Sequence, residues 1–190
     1  MLLPVDEAAS RPDFFAFRAR LLTAIARHDA ARVRAIVDPD IKNGFGGEEG
    51  SRSFEEMWRP DAPDSRLWEE LGRTLALGGT FEGPDTFEAP YVFSRWPQQY
   101  DAFEHVAVIG SDVRVRAAAR SDAEVLTTLS FSILRVARPE TGSGAWTAIQ
   151  LPDGRAGYVA AECVRSPVAY RAIFTRAGSG WRLAMFLQGD

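Results

Sequence analysis

Over residues 13–28 apolar side chains return at helical intervals: Phe14, Phe17, Leu21, Ala24 and Ile25 share one side, while Arg18, Arg20 and Arg27 face away. Recurrence at i, i+3, i+4 and i+7 predicts an amphipathic helix, with Pro12 near its start and Asp13 as its cap. Asp29 then caps a short second helix over 30–37 that buries Val33, Ile36 and Val37 before Pro39 ends it. A short strand around Ile41 and a glycine-rich loop over 44–50 lead to Ser53 and Glu56. Those two have the spacing of a capping box, opening a turn of helix through Phe54, Met57 and Trp58. Pro60-Asp-Ala-Pro63 reads as a linker. Asp64 or Ser65 then caps a third long helix with Leu67, Trp68, Leu71 and Leu75 on one face, stopped by Gly78-Gly79.

Beyond Thr80 the period changes from 3.6 to 2. Short strands are expected over 87–93 and 103–109, with Pro90 and Pro97 restricting their pairing. Val113–Arg116 and Val125–Leu129 alternate as strands. The run from Trp146, through Pro152-Asp-Gly154, to Gly157-Tyr-Val159 reads as a hairpin with strong turn chemistry. A last hairpin occupies 169–187, with Tyr170, Ala172 and Phe174 alternating against Arg171, Ile173 and Thr175. An isolated hairpin is marginal in water. This one is therefore expected to pair with strands from before Val106 and to pack on the first helix. The fold class is α+β, a helical N-terminal half packed on a sheet and a β-rich C-terminal half.

A chain of 190 residues suits one medium domain or two small ones, and at that size it needs no staples to bury a core. Its 46% hydrophobic content with 25% charged residues is that of a globular protein. A net charge of −4 disfavours a nucleic-acid partner, since phosphate binding needs a concentrated basic surface. Lys42 is the only lysine beside many arginines and alanines, which reads as GC-rich coding rather than as arginine selected for anions. Cys163 is the single cysteine, so no intrachain disulfide forms, and its strand position predicts a buried, inert thiol. No apolar run approaches the ~20 residues that cross a bilayer. The N-terminal Met-Leu-Leu-Pro-Val-Asp-Glu lacks the basic region of a signal peptide.

Asp38-x-Asp40 with Asn43, Gly44 and Glu49 has the look of a calcium loop, but Lys42 takes the place of an oxygen ligand and Asn43 that of the turn glycine. Gly44-x-Gly46 as a phosphate cradle is opposed by Glu48 and Glu49. His28 and His105, the only histidines, lack partners at metal spacing. His105 with Tyr91, Arg95 and Asp40 could form an acid/base cluster, against the commoner reading of a satisfied strand histidine. A Cys163–His105 dyad lacks any sign of an activated thiol. No catalytic residue, metal site or cofactor is therefore expected.

The order Val113-Arg-Val-Arg116, Val125-Leu-x-x-Leu129, Trp146-x-x-Ile149 and Asp153-Gly-Arg-x-Gly-Tyr-Val159 resembles the bacterial Src-homology-3-like (SH3b) domain. The resemblance implies a small barrel of five or six strands over about 106–165 that binds a peptide or a peptidoglycan fragment. Trp146, Tyr158 and Arg116 would be its ligand-binding residues, with the aromatics stacking on sugars or prolines. It also implies work outside the cytoplasm, in the periplasm or cell envelope, whereas the chain's own start favours the cytoplasm. Residues 13–58 and the closing Gly-x-Gly-Trp-Arg-Leu hairpin are similar to the nuclear-transport-factor-2-like (SnoaL-like) α+β cone fold. The two resemblances together imply a discontinuous α+β domain of 12–105 with 166–190, and a barrel of 106–165. The functional expectation is a non-enzymatic binding or adaptor protein. The alternatives are a small-molecule binder or enzyme using a cavity in the cone-like half, and a structural interaction protein with an occluded groove. Oligomeric state is not legible.

Overall fold

The computed structural model describes residues 1–137, 144–178 and 180–189. Five helices lie among them: α1 Pro12–Ala26, α2 Ala30–Ile36, α3 Gly50–Trp58, α4 Leu67–Ala76 and the short α5 Tyr91–Ser94. Strands β1 Val37–Lys42, β2 Thr80–Glu82, β3 Thr86–Ala89 and β4 His105–Val108 come first. They are followed by β5 Val113–Arg116, β6 Val125–Leu129, β7 Ile133–Val136, β8 Trp146–Gln150 and β9 Ala156–Ala160. The last are β10 Val164–Arg165, β11 Arg171–Ala177 and β12 Gly180–Leu187. Two compact units result, one of Val5–Ser94 with Val168–Asp190, the other of Met1–Pro4 with Arg95–Pro167. The architecture is α+β, as the two periodicities predict.

In the helical unit five strands run in the order β1-β12-β11-β3-β2, with β1 parallel to β12 and the rest antiparallel. The closing hairpin thus supplies the centre of the sheet. Its Phe174 sits opposite Phe87, which sits opposite Phe81. Period-2 alternation throws all three toward α1, where the Phe14 ring meets them at centroid distances of 5.8, 4.2 and 5.3 Å. Trp181 closes the cluster 4.8 Å from Phe14, and its indole N–H donates to Asp13 Oδ2 at 3.0 Å. That hydrogen bond is the main cause holding the Asp13 carboxyl below its ordinary pKa. Asp29 caps α2 as expected, its Oδ1 accepting the Arg32 N–H at 3.1 Å.

Arg18 is not on the exposed side of α1 but buried, because Asp6 receives its guanidinium in two bonds of 2.8 and 2.6 Å. Helix α2 stops at Ile36; Val37 opens β1, and Pro39 lies within that edge strand, a position where a missing N–H is tolerated. Helix α3 begins at Gly50, so Ser53 lies inside it and forms no capping box. Its start is set by Asn43, whose N–H donates to Glu48 O and whose side-chain amide donates to Gly50 O. The cap position of α4 is Arg66, while the Ser65 hydroxyl accepts the Leu67 N–H at 3.4 Å and donates to Trp58 O at 2.6 Å. Gly78, at φ +64°, ends that helix in the left-handed region. The strand expected over 87–93 stops at Ala89, before Pro90 and α5. The one expected over 103–109 is only His105–Val108. Arg171, on the opposite side of its strand from Ala172 and Phe174, is also buried, at 6% exposed.

The second unit holds seven antiparallel strands in the order β10-β4-β7-β8-β9-β5-β6. Val106, Val108, Val115, Leu134, Ile149, Leu151 and Val159 form its core. Gly157 is required where β9 crosses β5, since a Cβ there would lie 2.5 Å from Val115 Cγ1. Among the described residues no closed barrel of five or six strands forms: β6 and β10 end the sheet without pairing to each other.

Candidate ligand-binding face

The β8–β9 ladder pairs Trp146 with Ala160, Ala148 with Tyr158, and Gln150 with Ala156. Directly paired residues, and residues two apart, share a face, so Trp146, Tyr158 and Gln150 project from the same side. The core side carries Ile149 and Val159 instead. Arg116 is the cross-strand partner of Tyr158 on β5. The ladder therefore brings Arg116 and Tyr158 together and sets Trp146 diagonally beside Tyr158. All three are half-buried. Among the described residues neither ring stacks on another aromatic ring or has a hydrogen-bond partner. Arg116 has a structural task as well: its Nη1 donates to Ala123 O at 2.7 Å, holding the loop between β5 and β6.

Four residues along β8 from Trp146, about 13 Å at a strand's rise, the same face opens into a pocket of about 290 Å³. Gln150, Ala156 and Gly154 line one side, and Glu104, Arg135 and Ala137 the other. Arg135 faces Gln150 across the β7–β8 ladder, and its Nη2 donates to Glu104 Oε2 at 2.8 Å. Both partners are well exposed, which limits such a pair to about 1 kcal/mol or less of stability. It does place one cation and one anion at the pocket wall. Beside the mouth, Asp153 is held below the ordinary carboxylate pKa by hydrogen bonds from the Arg155 side chain and backbone. Sequence reasoning missed this pocket. Glu104 and Arg135 lie 31 positions apart, and only the β4–β7–β8 register joins them to Gln150.

His105 opens β4, its Nδ1 within 2.9 Å of Asp101 O and its ring edge-on to Tyr100. Tyr91 and Asp40 belong to the helical unit. Cys163 O accepts the Ile109 N–H, which sets Cys163 beyond the far end of β4, about 13 Å of strand from His105. The Cys163 thiol is half-buried, and burial raises its pKa. His28 stacks on Trp68 at 5.0 Å. In the 44–50 loop the Glu48 carboxylate folds inward and accepts the Gly46 N–H at 3.0 Å, so the chain's own anion occupies the would-be cradle. Asp38 Oδ1 is engaged by the Asp40 N–H.

One more titratable cluster lies on the five-stranded sheet. Glu88 sits between Thr80 and Ile173 in the ladder, with Glu82 diagonally across. Burial, then a hydrogen bond shared with Glu82, push the Glu88 carboxyl up to about 7, against the opposing pull of Arg171. Arg171 donates to Gly189 O at 2.7 Å and lies 4.8 Å over the Phe93 ring.

No protein-family model, curated protein or solved structure matches the chain. Among the described residues no helix is long and apolar enough to cross a membrane, and no group of three or more His, Cys, Asp and Glu side chains could hold a metal ion.

Proposed function

We propose that this protein is a non-enzymatic binding or adaptor module of the cell envelope, taking a peptide or the peptide arm of a peptidoglycan fragment on the outer face of β8 and β9. The observation that carries the reading is the single face shared by Trp146, Tyr158, Arg116 and Gln150, ending in the Glu104–Arg135 pocket. Its volume stands at the lower edge of the ~300–1,000 Å³ of small-molecule sites, which suits one or two residues of a peptide rather than a bulky cofactor. Two aromatic platforms bind sugar faces or prolines, and a wall bearing both charges accepts the amino and carboxyl groups of a short peptide. The resemblance of 113–164 to SH3b domains supports the same reading.

The test is retention on purified peptidoglycan and on its isolated peptide stems. Aromatic anchors in such sites are each worth on the order of 2 kcal/mol when fully desolvated, so Trp146→Ala is expected to weaken binding about thirtyfold. Arg135→Ala should act on the peptide stems. Equal retention of wild type and Trp146→Ala overturns the assignment.

A further inference from the structure

The helical unit carries a second concavity, unrelated to the β-face. Helices α1 and α2 leave between them a groove of about 180 Å³. Its floor is the buried apolar set Phe17, Leu21 and Ala24, with half-buried Ile36 at one side. Exposed Arg20 and Arg32 stand on opposite banks, and Ala35 forms an open rim. The charge here runs against that of the whole chain. Residues 12–37 hold five arginines and two aspartates, net +3, within a chain of net −4.

The arginines divide by what they already bind. Arg18 is taken by Asp6, Arg34 by Glu55 and Asp61, and Arg32 partly by Asp29. Arg20 and Arg27 have no ion-pair partner among the described residues. Arg20 lies on α1 and borders the groove, and Arg27, seven residues on, is the residue that caps the C-terminus of the same helix. The cavity is well below the ~300–1,000 Å³ of small-molecule sites, yet it accommodates a single bulky apolar side chain. An apolar slot of that size, with arginine on both banks and uncompensated positive charge alongside, is the complement of one hydrophobic anchor flanked by carboxylates.

We infer that the α1–α2 groove docks an acidic segment of a partner protein, which inserts one Leu- or Phe-sized side chain onto Phe17, Leu21 and Ala24 and sets its carboxylates against Arg20, Arg27 and Arg32. The mode is an apolar anchor in a groove with charge setting register and partner choice. It disfavours a second copy of this chain, whose corresponding face would be equally positive.

The test pans a library of displayed 12-residue peptides on the full-length protein, then measures the enriched peptides by fluorescence anisotropy. Enrichment of sequences with one Leu, Phe or Trp flanked by Asp and Glu is expected. Their affinity should fall at least tenfold in the double variant Arg20→Glu/Arg27→Glu and between 50 and 300 mM salt. It should also be lost in Ala35→Phe, which fills the slot from an exposed rim without touching the core; circular dichroism verifies that both variants are folded. Enrichment of basic or uncharged peptides, or affinity indifferent to Ala35→Phe, overturns the inference. So does a dimer in sedimentation that Ala35→Phe dissociates, since the occupant is then a second copy. Binding to anionic lipid vesicles that competes with the peptides and survives Ala35→Phe overturns it equally, because charge alone then explains the surface.

Discussion

Replacing Glu88 with glutamine should remove a pH dependence of stability that runs opposite to the usual one for a carboxylate. In the unfolded chain this carboxyl titrates near 4.5, and in the folded sheet near 7, because it is partly buried and shares a hydrogen bond with Glu82. Between those values the folded state holds a proton that the unfolded state has released. Linkage then requires stability to fall as pH rises through that window and to level off above 7. The full shift corresponds to about 3 kcal/mol, but Glu88 is only half-buried and solvent screens the group, so about 1.5 kcal/mol is expected. Glu88→Gln keeps the shape and can still donate to Glu82 without ionising. Urea unfolding of both proteins at pH 5, 6, 7 and 8 gives the difference curve, in which titrations common to both cancel. Glu88→Gln should gain on wild type by about 1.5 kcal/mol between pH 5 and 8, with the steepest change at pH 5–6, midway between the two titrations. A flat difference, or one in which wild type gains with rising pH, refutes the assignment of a shared proton at Glu88.

Two further substitutions probe single contacts. Gly157→Ala, which forces a methyl against Val115, should cost about 1–3 kcal/mol in denaturant unfolding, as overpacking does, and Val115→Ala in the same chain should recover part of it. Asp29→Ala removes the cap of α2 and should lower stability by about 1 kcal/mol, whereas Asp29→Asn should retain most of it.

The elements built by local periodicity were legible in the residues. Phe14, Phe17, Leu21, Ala24 and Ile25 mark the buried side of α1 without help from anything distant, and the hairpin of β11 and β12 follows from its own alternation and glycine turn. Misplaced residues were those whose position depends on a remote partner. Arg18 goes inside because Asp6, twelve residues earlier and outside any helix, meets it there. Ser53 loses its capping role because Asn43 ties down the loop and starts α3 one turn sooner. The relation of Trp146 to Tyr158 and Arg116 could be approached from sequence because one tight hairpin and one neighbouring strand contain all three. The Glu104–Arg135–Gln150 wall could not, since only the register of three separate segments assembles it.

The place of the closing hairpin in the middle of the five-stranded sheet has a temporal meaning. Strand β1 and the β2–β3 pair are made before residue 90, yet both must wait for β12 and β11, after residue 170, to be joined into one sheet. As the chain emerges from a ribosome at ~5–20 residues per second, the intervening segment of 95–167 has all seven of its strands available first. The inner unit can therefore complete its core while the outer one still carries unpaired strand edges, which are open to pairing with other chains. A chain cut short before β11 would keep that hazard permanently. Full-length synthesis, more than the strength of any one contact, is what protects the outer sheet.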